Sequence, residues 1–254
     1  FDTSNTFVKL DVNETKNIEK EWNSARVNQA QLVLHEAVNT EGSLYVGLGS
    51  EGVSFQVDDL LYKVFDLFDS NLPKKVVKLL NASYLDCPDS QHSILKRPFY
   101  QGAPYRGGHG LALVQMLREW RSKKLYHTNL TPDNLILDEK EKILTVVDIG
   151  RDVNYEESEY LYQGKFKDMC KRAFLCFRYG CYASNPYALQ KLKQLMREDY
   201  SSVHLVGFEA FMKHVYGSDK DAATRLEDRL DDLRADSAYT GSAADDDISD
   251  DELI

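Results

Sequence analysis

"LYHTNLTPDNLILD", residues 125–138, lies between a helix-like run and a buried-strand-like run. Its polar residues His127, Asn129 and Asn134 are bracketed by apolar ones, which places hydrogen-bonding side chains where burial is expected. Upstream, "LALVQMLREWRS" (111–122) has Leu113, Val114, Leu117 and Trp120 at helical spacing. Downstream, "LILD" and "KILTVVDIG" predict a short hairpin closed at "EKEK".

Further out, residues 14–39 predict a helix with Ile18, Trp22 and Ala25 on one side and a more apolar part from Leu32. Short apolar or alternating runs follow at Tyr45–Val46, Ser54–Val57 and Leu60–Phe65, split by a glycine cluster and by Asp58-Asp59. That is a strand, loop, strand, tight turn, strand pattern. "SNLPKKVVKLLNAS" (70–83) predicts a short helix, with Ser70 or Asn71 as N-cap and Pro73 in the first turn. "HSILKRPFYQG" (92–102) reads as a strand running into the glycine-broken connector "APYRGGHG". Helices are expected at 164–180, 186–198 and 206–216. Strands first and helices later imply an α+β fold with two lobes.

Composition bounds the function. The chain has 254 residues, 43% of them hydrophobic, enough to bury a real core. Its net charge of −10 is concentrated at one end: from Asp219 onward 13 acidic face 4 basic residues, which leaves −1 for residues 1–218. A nearly neutral body predicts no nucleic-acid groove. No apolar run approaches the roughly 18 residues of a membrane span. Cys87, Cys170, Cys176 and Cys181 fit no zinc spacing and read as free thiols in a reducing, cytoplasmic setting. The chain begins at Phe1 without a methionine and reads as a piece of a longer protein.

Glycines at "GLGSEG" (Gly47, Gly49, Gly52) let a backbone turn approach phosphate oxygens without a Cβ in the way. Sixteen residues after Gly47 stands Lys63, a lone cation inside the apolar strand "LLYKVF". A buried lysine needs an anion, and a nucleotide phosphate would supply one; the competing reading is a lysine on the solvent face of an edge strand. A methyltransferase cofactor loop at "VGLGSEG" is a third reading, but it needs a helix directly after the loop and leaves "HTNLTPDN" and "VVDIG" without a role.

In order, the glycine loop, strand lysine, helix, "HTNLTPDNLIL", hairpin and "VVDIG" resemble the protein-kinase-like superfamily over residues 44–180. The spacing is closest in style to compact bacterial-type small-molecule or glycan kinases. The family's catalytic loop is His-x-Asp-x-x-x-x-Asn, matched by His127 and Asn134, and its metal motif Asp-x-Gly is matched by Asp148-Ile149-Gly150. The resemblance implies a two-lobed kinase-like fold, with a small β-lobe (41–102) and a larger helical lobe (103–218); the residues on either side read as an N-terminal helical extension (1–40) and an acidic helical linker with a disordered tail (219–254). It implies that Gly47, Gly49 and Gly52 cover the phosphates of ATP, and that Lys63 contacts them. Pro98, Phe99 and Tyr100, within "RPFYQG", would hold the adenine edge. Asn134 and Asp148 would hold Mg2+, and His127 would be a hydrogen-bonded, unreactive part of the loop.

Two departures stand out. The helix "LPKKVVKLL" carries no acid to pair with Lys63, which leaves Asp66, Asp69 or the phosphate itself as partner. Position 129, where the family has the aspartate that accepts the substrate hydroxyl's proton, is an asparagine, whose amide is not basic. Either the chain is a pseudokinase, a nucleotide-binding scaffold without transfer, or Asn129 is an Asp-to-Asn change in an active phosphotransferase. The acceptor, a small molecule or glycan, would sit in "RDVNYEESEYLYQGKF" (151–166). There Tyr155, Tyr160 and Tyr162 could stack on a ring and Arg151 could hold an acid, unless the tyrosines simply pack the larger lobe. Leu226, Leu230 and Leu233 share a helical face in the tail, which reads as a linker toward a further domain or as a solubility tail.

Overall fold

The computed structural model describes residues 12–40, 42–66, 72–87, 91–180, 190 and 207–217, with backbone alone for 12–18 and 179. Ser70, Asn71, Asp69, Cys181, residues 219–254 and all of 186–198 but the helical Gln190 lie outside these residues. The described chain is mixed α+β with antiparallel sheets, and it divides into residues 1–99 and 100–254.

In the first unit, helix α1 (Val12–Val38) precedes strands β1 (Leu44–Leu48), β2 (Gly52–Val57) and β3 (Leu60–Phe65). Helix α2 (Lys74–Leu79), β4 (Ser83–Leu85) and β5 (Ser93–Pro98) follow. The strands form one sheet in the order β1-β2-β3-β5-β4. Val53, Phe55, Tyr62, Val64 and Ile94 share one face of it by register, and Ala30, Val33 and Leu34 of α1 bury against that face. The apolar face of α1 therefore differs from the expected one: Trp22 and Leu32 are 65% and 66% exposed. The sheet selects residues at i, i+3 and i+4 around Ala30.

Asp58, at φ +53°, makes the tight β2–β3 turn that Asp58-Asp59 predicts. Helix α2 starts at Lys74, and Pro73 (φ −54°, ψ 139°) stands one position ahead of its first turn rather than within it. At the sheet's border, β1 leaves Leu44, Tyr45 and Val46 exposed, and its pairing with β2 slips by one residue between Tyr45 and Gly47.

The second unit holds β6 (Ala103–Pro104), α3 (Gly110–Ser122), β7 (Leu125–His127), a 3₁₀ turn (Pro132–Asn134), β8 (Leu135–Asp138), β9 (Ile143–Val146), β10 (Val153–Tyr155), α4 (Glu159–Tyr179) and α5 (Phe208–Tyr216). The β8–β9 hairpin is as expected, with β6 beside β8, and β7 pairs with β10. Helix α4 begins five residues before the expected start. Ser158 caps it by accepting from the Leu161 N–H at 3.5 Å, and Glu159 lies in its first turn. Its Phe166, Met169, Cys170, Phe174 and Phe177 are buried, and Phe174 packs on Phe208 and Phe211 of α5. Burial pushes the thiols of Cys170 and Cys176 well above their ordinary value.

Candidate functional site

In the first unit the glycine cluster is the turn of a β-hairpin. Gly47 lies in β1, Gly49 in the turn and Gly52 opens β2, with the Gly49 N–H donating to the Gly52 carbonyl at 2.9 Å. The glycines differ in their reasons. A Cβ on Gly52 would come within 2.1 Å of the Val64 carbonyl oxygen, so packing against β3 requires that glycine. A Cβ on Gly47 would meet nothing within 4 Å, and one on Gly49 only the Gly52 oxygen at 3.8 Å. Packing asks for neither.

Lys63 faces away from α1, opposite Ser54 and Leu95 in the ladder. It is 9% exposed, so it is no solvent-face lysine. Its Nζ lies 3.6 Å from Glu51 Oε2 and 5.1 Å from the Phe65 ring centroid. The carboxylate beside the lysine thus comes from the glycine turn, a source the sequence reading did not consider. Asp66, considered there, pairs with Arg26 of α1. Arg26 also donates to the Gly49 carbonyl at 3.0 Å, and the Asp66 N–H donates to the Glu51 carbonyl at 3.0 Å. Pro98 ends β5, the Phe99 N–H donates to the Asp59 carbonyl at 2.8 Å, and the division between units falls between Phe99 and Tyr100. All three are half-buried. A hollow of about 660 Å³ in this unit lies elsewhere, with Lys74, Lys78, Lys96 and Arg97 among the residues that line it.

In the second unit, pairing of Val153 with His127 brings the 127–134 loop against residues 147–152. His127 is 1% exposed and has both ring nitrogens engaged. Nδ1 accepts from the Asn129 N–H at 3.1 Å, which fixes the proton on Nε2, and Nε2–H donates to the Asp148 carbonyl at 2.9 Å. Its pKa is lowered, chiefly by burial and further by the Arg172 charge, against that hydrogen bond and the nearby Asp148 and Asp152 charges, which raise it. A neutral imidazole thus ties the 127–134 loop to the segment at Asp148 across 21 residues of sequence.

Asn134 donates its side-chain N–H to the Asn129 carbonyl at 2.9 Å, and its own carbonyl accepts from Val147 at 2.8 Å. With the amide nitrogen committed, Oδ1 is the atom left to accept or to ligate. Thr128 donates its N–H to the Asp152 carbonyl at 2.9 Å and its hydroxyl to Asp152 Oδ1 at 3.1 Å. The cluster expected to be buried is only partly so. His127 is enclosed, Asn134 and Asp148 are half-buried, and Asn129 is exposed. Leu130 and Leu135 turn inward to anchor the loop, which leaves position 129 on its outer side.

Asn134 and Asp148 carry an amide and a carboxylate oxygen, donors of the kind that could hold a magnesium ion. Among the described residues no three His, Cys, Asp or Glu side chains converge on a common point. Of the residues expected at an acceptor site, Tyr162 is core: it is 2% exposed, stacks on Phe166 and donates its hydroxyl to the Leu125 carbonyl at 3.0 Å. Tyr160 is 86% exposed, Arg151 is exposed and Tyr155 is half-buried. No described helix is long and apolar enough to cross a membrane. No family model matches the sequence, and no curated protein matches it.

Proposed function

We propose that the chain is an ATP- and Mg2+-dependent phosphotransferase of two-lobed, kinase-like fold, transferring to a hydroxyl of a small molecule or glycan, with Asn129 at the position of the base. The observation that carries this reading is the neutral His127 bridge between the Asn129 N–H and the Asp148 carbonyl, with Asn134 tied to the Asn129 carbonyl. A buried imidazole spent on orientation suits a loop whose neighbours must hold fixed positions. The glycine hairpin followed by the strand lysine supports the same reading, because a methyltransferase loop would lead into a helix.

In this reading the backbone around Gly47, Gly49 and Gly52 and the Lys63 ammonium bind phosphate, and Pro98, Phe99 and Tyr100 hold the base. Asn134 Oδ1 and the Asp148 carboxylate hold the metal. Magnesium, when bound, neutralises phosphate charge. Asn129 can orient an acceptor hydroxyl through a hydrogen bond but cannot take its proton.

Restoring the acid tests the chemistry: Asn129→Asp should raise ATP turnover by orders of magnitude over the chain as it stands. A variant that binds ATP yet stays inert toward glycans, small alcohols and peptides would end the transfer reading. Asn129 itself favours the second reading, a nucleotide-binding scaffold. Stabilisation by ATP in a thermal-shift titration, with no turnover in either form, would support that scaffold.

A further inference from the structure

We propose that Arg26, on helix α1, is a positioning residue for phosphate binding, acting through the Gly49–Ser50 peptide plane; the proposal rests on the nucleotide reading above. A peptide unit carries its C=O and the next residue's N–H on opposite edges of one plane, so fixing the oxygen also aims the hydrogen. Here the Gly49 oxygen accepts from the Arg26 guanidinium at 3.0 Å. The Ser50 N–H is therefore aimed away from α1, at an exposed residue on the tip of the glycine turn. Next to a glycine such a plane flips easily, since no Cβ resists rotation. A flipped plane would present a carbonyl oxygen, which repels a phosphate, where an N–H should attract it.

The clamp is anchored at its far end as well. The same guanidinium pairs with the Asp66 carboxylate, just beyond β3, and the Asp66 N–H holds the Glu51 carbonyl at 3.0 Å. Glu51 in turn lies beside Lys63 Nζ. One cation on α1 thus holds a turn carbonyl directly and shares Asp66 with the residue that pairs with the lysine. Helix α1, outside the segment that resembles a kinase, becomes a working part of the phosphate site.

ATP affinity of the full chain, with magnesium present, separates this role from direct charge attraction. Arg26→Ala should weaken binding about tenfold, the worth of one charge-assisted hydrogen bond. Arg26→Lys should recover part of it, because one donor remains. Asp66→Asn is decisive. If Arg26 acts by positioning, loosening its anchor weakens binding; if it attracts phosphate by its own charge, removing the neighbouring anion tightens it. Amide hydrogen exchange in residues 49–52 should quicken in Arg26→Ala while that of residues 30–36 is unchanged. Tighter binding by Asp66→Asn, or unchanged affinity in Arg26→Ala, overturns the proposal. A parent chain that binds no ATP sinks the function reading instead, and exchange then decides the clamp alone: unchanged rates in 49–52 overturn it.

Discussion

The two units hold their polar loops by different means. In the first, charge is met by charge: Arg26 with Asp66, and Lys63 with Glu51, both side chains of the latter pair being about one-tenth exposed. In the second, the 127–134 loop is held mainly by neutral bonds aimed at backbone atoms, from His127 to the Asp148 carbonyl and from Asn134 to the Asn129 carbonyl. Ion pairs can trade one anion for another, so a turn built on them can admit a phosphate. Bonds to backbone carbonyls have no substitute partner, so a loop built on them keeps its shape whatever is bound. The first arrangement suits a part that must exchange partners, the second a part that must not move.

The largest effect should come from putting a charge into the neutral loop. Asn129→Asp should raise ATP turnover about 10²–10⁴-fold, the usual worth of a general base, read by phosphate release or ADP formation. Unchanged turnover would mean that the loop's neutrality is its working state.

Removing one charge from the first unit comes next. Lys63→Met takes the cation from beside the Glu51 carboxylate and should lower the midpoint of urea denaturation. The double variant Lys63→Met/Glu51→Gln should regain most of that loss. If the two single losses simply add, the pair is not coupled and the contrast between units fails.

A smaller effect is set by pH. His127 is neutral in the fold, with its pKa lowered below 6.5, chiefly by burial. The unfolded chain therefore binds the extra proton first, and stability is complete above about pH 6.5 and falls as the pH drops below it, by at most about 1.4 kcal/mol per pH unit. Urea midpoints in chelator-containing buffer should show this slope, and His127→Gln should lack it. The smallest test concerns thiols. At pH 8 the half-buried Cys87 of the first unit should alkylate, whereas Cys170 and Cys176 should stay unmodified until unfolding, as peptide mapping would show.

What could be read in advance follows from how far each signal extends along the chain. Helix α3 and the β8–β9 hairpin were legible because their period repeats over a dozen residues. Strands β4, β7 and β10 have three residues each, too few for alternation to register. The early start of α4 had a signal, Ser158 followed by Glu159, that a search for caps would have found. At the site, His127, Asn134 and Asp148 were visible as a spaced motif. Glu51 and Arg26 were not, because the ion pair of one is made by a turn folding back on a strand and that of the other spans 40 residues. Nor did sequence tell that Gly52 serves the sheet while Gly47 and Gly49 do not.

The slipped pairing in β1 has a consequence for the protein in company. A border strand with Leu44, Tyr45 and Val46 bare is a template on which another chain can lay a strand. The extra residue between Tyr45 and Gly47 interrupts the even row of amides and carbonyls that such stacking needs, and it twists the strand away from a flat neighbour. One irregular residue therefore makes this border a poorer template for an added strand. A chain shortened by Val46 should keep its sheet yet clump at concentrations the parent tolerates.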